Sequence, residues 1–128
     1  MKINESIENY LERILMLSKK NGAVRSVDIA IALNVTKASV SHAMKLLRQN
    51  GYILMDKNNY ITLTEAGNEI AERMLERHQM LAEFLIRLGV SENTAYEDSC
   101  KIEHSISDES FDAICRHAKN GSAIQKSN

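Results

Sequence analysis

Proline and tryptophan are absent from the 128 residues, and glycine occurs only five times. With so few helix breakers, long helices joined by short connections are expected. No run of about eighteen apolar residues occurs, which argues against a membrane-spanning helix. Met1 to Tyr10 has no apolar stretch and carries Glu5 and Glu8, so no secretory signal is expected. Two cysteines, Cys100 and Cys115, are too few for a disulfide framework and read as thiols of a cytoplasmic protein.

What is present supports a folded chain. Hydrophobic residues make up 44% and charged ones 26%, enough for a real core and a soluble surface. Before residue 65 there are nine Lys/Arg against five Asp/Glu; from there on, seven against twelve. A basic front and an acidic rear suit a DNA-contacting half joined to one that meets cations or a second subunit. Chance imbalance between solvated faces is the competing reading.

Apolar periodicity organises the chain. A first helix over about 4–19 buries Ile7, Tyr10, Leu11, Ile14 and Leu17 and stops at Asn21-Gly22. Ser26 reads as the N-cap of a second, which buries Ile29, Ala30 and Leu33. Asn34-Val35 is a tight turn, Asn tolerating left-handed backbone. Thr36 then caps a third helix over about 37–50, with Val40, Ala43, Met44 and Leu47 inward and Gly51 as its stop. Residues 52–55 and 60–63 flank Asp56-Lys57-Asn58-Asn59 and read as a hairpin. Thr64 caps a long fourth helix over about 65–88, with Ile70, Met74, His78, Leu81, Leu85 and Leu88 on one face and Gly89 closing it. A fifth runs from Ser91 to about Ser105, and Ser107-Asp108-Glu109 caps a sixth through His117, with a frayed tail from Ala118. The expected fold is mainly α. A winged helix-turn-helix domain with a small hairpin wing fills 1–70, and a helical domain fills 71–128, with the fourth helix bridging them.

In that order of elements the third helix is the DNA reader. Its free face carries Lys37, Ser39, Ser41, His42 and Lys45, with Arg48 near the end and Thr36 at the start. Small hydroxyls permit close approach to the major groove and lysines meet phosphates. Lys57 at the wing tip is placed for the flanking backbone. A solvated face on a protein-binding winged helix is the alternative.

A second constellation lies further on. Cys100, Glu103 and His104 stand at i, i+3 and i+4, one face of a helix. His78 adds an imidazole from the apolar face of the fourth helix, and Glu12, with Asn9 one turn earlier, completes the set from the first. Imidazole, thiolate and carboxylate together build divalent transition-metal sites. A histidine on an apolar stripe is also commonly a satisfied core residue, and that reading stands beside the metal one. Cys115 reads as core and His117 as surface.

With these residues in place, the sequence resembles the diphtheria toxin repressor family of metal-dependent regulators, which includes the manganese transport regulators. The segments that carry the resemblance are Glu8-Asn9-Tyr10-Leu11-Glu12-Arg13-Ile14, Asp28-Ile29-Ala30 with Leu33-Asn34-Val35, Leu63-Thr64-Glu65-Ala66-Gly67, Arg77-His78, Leu88-Gly89-Val90 and the run from Cys100 to Ser107. The resemblance implies a homodimer that binds Fe(II) or Mn(II) as co-repressor, then a palindromic double-stranded operator of metal-uptake genes, with the second domain serving metal sensing and dimerisation. It maps the family's ligand positions onto Asn9, Glu12, His78, Cys100, Glu103 and His104. At 128 residues the chain matches the short architecture without an SH3-like domain. Asn9 and Cys100 stand where manganese-type members have carboxylates, and Ala82 and Tyr96 where iron-type members have second-site ligands. A thiolate moves preference from hard Mn(II) toward Fe(II), with Co(II) or Zn(II) accepted in vitro. One metal per subunit is expected rather than two.

The leading expectation is therefore a metal-activated transcriptional repressor. The alternative is a winged-helix regulator answering to an organic ligand or to oxidation of Cys100. A metallohydrolase is disfavoured, because the cluster has no evident general base beside it and the chain no glycine-rich phosphate loop.

Overall fold

The computed structural model describes residues 4–127, with side chains through Ala118. Six helices and one two-stranded sheet occur among them. The chain divides after Leu75 into two compact units.

The first unit opens with α1 (Glu5–Asn21), where the Asn4 side chain accepts the Ile7 N–H at 3.0 Å and Gly22 closes the helix. In α2 (Ser26–Leu33) the cap is one residue earlier than Ser26: Arg25 is the N-cap, and its N–H is accepted by the Asp28 carboxylate at 2.9 Å. Asn34 adopts left-handed backbone, φ 54°, and turns the chain into α3 (Lys37–Gln49). Thr36 Oγ1 accepts the Ser39 N–H at 3.1 Å, the cap expected from sequence.

The hairpin pairs β1 (Ile53–Met55) with β2 (Ile61–Leu63) antiparallel, Ile53 opposite Leu63 and Met55 opposite Ile61. Its turn is held by the Asp56 carboxylate, which accepts the N–H groups of Asn58 and Tyr60. The three helices and the hairpin form a winged helix-turn-helix. Leu11, Ile14, Ile29, Val40, Met44, Leu47 and Ile53 are at most 1% exposed and form its centre. Each large apolar side chain so buried contributes about 1.5–3 kcal/mol before entropy is charged against it.

The long helix α4 (Glu65–Arg87) starts at Thr64, whose hydroxyl accepts the Gly67 N–H and donates to the Gly51 carbonyl at 2.6 Å. Gly67 is required by space rather than by torsion. A Cβ there would sit 2.0 Å from the Tyr52 carbonyl oxygen, so the first turn of α4 lies directly on the base of the wing.

The second unit contains the end of α4, α5 (Glu92–Ile102) and α6 (Asp108–Ser127). Two boundaries differ from the sequence reading. The helix α5 ends at Ile102 rather than Ser105, the Ser105 and Ile106 N–H groups both turning back to the Ile102 carbonyl; the Glu103 and Ile106 carbonyls are taken by Arg77 from α4. Glu103 and His104 therefore lie in the turn after the helix. The last helix continues past His117 to Ser127, no proline being present to stop it. Leu88, expected on the buried stripe, follows the end of α4 and is 66% exposed. The buried set of this unit is unusually polar: Arg77, His78, Ser99 and Glu103 stand beside Leu81, Ala82 and Ala95.

Candidate metal centre and nucleic-acid face

A buried polar set needs partners, and here they are one another. His78 occupies the inward face of α4 because Met74 and Leu81 of the same stripe are buried with it. Its Nδ1 lies 3.0 Å from Ser99 Oγ, 3.4 Å from Cys100 Sγ and 3.3 Å from Glu103 Oε2. The other carboxylate oxygen of Glu103 is 3.2 Å from His104 Nε2. Neighbours in a continuous helix diverge by about 100°; at the end of α5 they converge. Glu103 is 1% exposed, whereas Cys100 is on the surface.

One ring N–H cannot serve three acceptors. The Ser99 hydroxyl donates to the Tyr96 carbonyl at 2.9 Å and so faces His78 with a lone pair. The thiol first, then the Glu103 carboxylate, raise the His78 pKa from 6.5 to about 10, against burial, which lowers it. At neutral pH the cluster thus holds a proton on His78. The donor chemistry fits a divalent transition ion equally well: nitrogen, sulfur and carboxylate oxygen of His78, Cys100 and Glu103 lie within 4.8 Å of one another.

The second unit thus brings together His78, Cys100, Glu103 and His104. Glu12 and Asn9 belong to the first unit, where Glu12 is buried on α1 and Asn9, one turn earlier, is exposed. Sequence reading missed Ser99, although it stands four residues before Glu103 and so shares its helical face. It also missed the role of Arg77. Tyr96 has its ring centroid 5.6 Å from that of His78, at 42°.

The residues expected to face nucleic acid are all on the surface. Lys37, Ser39, Ser41, His42, Lys45 and Arg48 are all exposed on α3, and Lys57 is exposed in the hairpin turn. The Thr36 hydroxyl is occupied by capping, donating in addition to Ser39 Oγ at 2.8 Å. Arg25, unassigned from sequence, lays its guanidinium 4.3 Å from the Tyr60 ring centroid and fastens the start of α2 to the wing. His117 is exposed as expected, its ring edge-on to Phe84, whereas Cys115, expected in the core, is only half-buried.

Comparison with known proteins agrees with both halves. Residues 2–60 match the iron dependent repressor N-terminal DNA binding domain, and residues 64–122 the iron dependent repressor metal binding and dimerisation domain. An uncharacterised HTH-type transcriptional regulator of Methanocaldococcus jannaschii is 38% identical over 114 residues, 88% of this chain and 91% of that protein. The HTH-type transcriptional regulator MntR of Lysinibacillus sphaericus is 38% identical over 109 residues, 85% of this chain and 78% of that one. The solved structure of the manganese regulator SloR matches at 26% identity and TM-score 0.77, over 93% of this chain and 55% of the other. This chain thus spans about half the length of that solved chain.

Proposed function

The chain belongs to the iron-dependent repressor family of metal-dependent DNA-binding transcription regulators, which are not enzymes, and on that premise we propose that it represses metal-uptake genes when Fe(II) or Mn(II) is held by His78, Cys100, Glu103 and His104, with Glu12 closing the set. The observation that carries this reading is the convergence of a thiol and a buried carboxylate within 3.4 Å of the His78 Nδ1. When bound, the ion supplies two positive charges and directional bonds to these atoms. Glu103 offers a carboxylate already stripped of water, and Cys100 offers the soft donor that favours Fe(II) over Mn(II). Asn9, neutral and exposed, contributes at most a carbonyl oxygen, in keeping with one metal per subunit.

Glu12 carries the response toward DNA. It sits on α1 between Leu11 and Ile14, whose side chains pack in the core with Val40, Met44 and Leu47 of α3. Fixing α1 therefore fixes the reading helix. Two copies, joined through their second domains, present two such helices to a palindromic double-stranded operator in the cytoplasm. Ser39, Ser41 and His42 meet base edges, while Lys37, Lys45 and Lys57 meet phosphates. The family does not favour an organic ligand or thiol oxidation as the signal.

The test is a binding duplex selected from random DNA with and without metal, then titrated in chelator, Mn(II), anaerobic Fe(II) and Zn(II). An affinity gain of about tenfold or more with at least one ion is expected, the scale of ordinary coupling between two sites. Equal affinity in all four conditions ends the metal-switch reading.

A further inference from the structure

Arg77 stands one residue before His78 and is 7% exposed. A buried guanidinium is costly unless its donors are met, and here each partner lies around the turn that carries two of the proposed ligands. Its Nη1 donates to the Glu103 carbonyl at 3.4 Å and to the Ile106 carbonyl at 3.1 Å. Its Nη2 pairs with the Asp108 carboxylate at the first residue of α6. The Phe111 ring of α6 lies 5.0 Å from its Cζ and limits how the guanidinium plane tilts. Asp108 itself is 88% exposed, so that ion pair is screened and orients more than it stabilises.

The two carbonyls bracket His104. Held by one rigid fork, the turn from Glu103 to Ile106 has little freedom, and the Glu103 carboxylate and His104 imidazole keep their mutual 3.2 Å approach. Without the fork this turn would be free to extend the helix or to open, and each ion bound would have to order it first. We propose that Arg77 is a positioning residue of the metal centre, which sets the Glu103–His104 pair in place before an ion arrives. The inference rests on the metal reading of this site. Arg77 touches no donor atom of the cluster; it acts through the backbone that carries them.

The test uses the full chain. Mn(II) and Co(II) are titrated against a competing chelator into wild type, Arg77→Met and Asp108→Asn, at one pH where circular dichroism shows each protein folded; the Co(II) absorption spectrum is recorded for each. Arg77→Met is expected to lose about 10–100-fold in affinity for both ions, the usual scale for a group that orients ligands, with a changed Co(II) spectrum. Asp108→Asn, removing only an exposed carboxylate, should lose less in the same direction. A folded Arg77→Met with wild-type affinity and spectrum, even with a lower Tm, overturns the proposal and leaves Arg77 a structural clamp. If Arg77→Met does not fold, Asp108→Asn decides, and unchanged affinity there overturns it. Wild type that binds neither ion removes the metal reading itself, an outcome distinct from variants that merely equal wild type.

Discussion

An imidazole nitrogen facing a hydroxyl, a thiol and a carboxylate at once holds its proton hard, and this makes His78 the chemical pivot of the second unit. With its pKa raised to about 10, an ion held by His78 as proposed would have to displace that proton. Metal affinity should therefore rise about tenfold per pH unit between about pH 6.5 and 8.5 for the His78 proton alone. Competition titrations at several pH values check this, and a flat profile would remove His78 from the ligand set. The metal-free protein should show the opposite trend. A group whose folded pKa is raised gives stability that is complete below its unfolded pKa, near 6.5, and is lost as the pH climbs through about 10. At this scale the sequence was partly legible. His78, Cys100, Glu103 and His104 announce themselves by type and spacing. Ser99 and Arg77 do not, since serine and arginine have many ordinary uses, and only the fold shows which carbonyls a guanidinium reaches.

At the scale of elements, most caps were readable, Ser26 being one position late. Thr36, Thr64 and Ser107 each accept the backbone N–H three residues on, as short polar side chains before apolar periodicity do. The turn after α5 was not readable, because its carbonyls are held by a side chain twenty-six and twenty-nine residues earlier. Local propensity carries no trace of such a partner. Gly67 shows the same limit from the other side. Its place in α4 looks like a weak point for a helix, yet the Tyr52 carbonyl leaves no room for a Cβ. Gly67→Ala, a change that normally strengthens a helix, should instead destabilise the first unit by about 1–3 kcal/mol, the cost of overpacking against backbone. Chemical denaturation would measure it, and a neutral or stabilising result would refute the contact.

For the whole molecule, binding and stability are linked. An ion that binds the folded chain and not the unfolded one adds about 2.7 kcal/mol at a hundred times its Kd. Differential scanning fluorimetry should show a Tm that keeps rising with metal beyond saturation of the site, and His78→Ala should abolish most of that rise. A Tm independent of metal would contradict a resident cation site. The basic front and acidic rear seen in the sequence fall on the two matched domains, the nucleic-acid one and the metal-binding one. One asymmetry in the cluster bears on its traffic. Cys100 is exposed while Glu103 is enclosed. If an ion enters the proposed site by the Cys100 edge, small thiols in the surroundings would meet it there, and how long it stays would depend on their abundance as well as on how tightly the protein grips it.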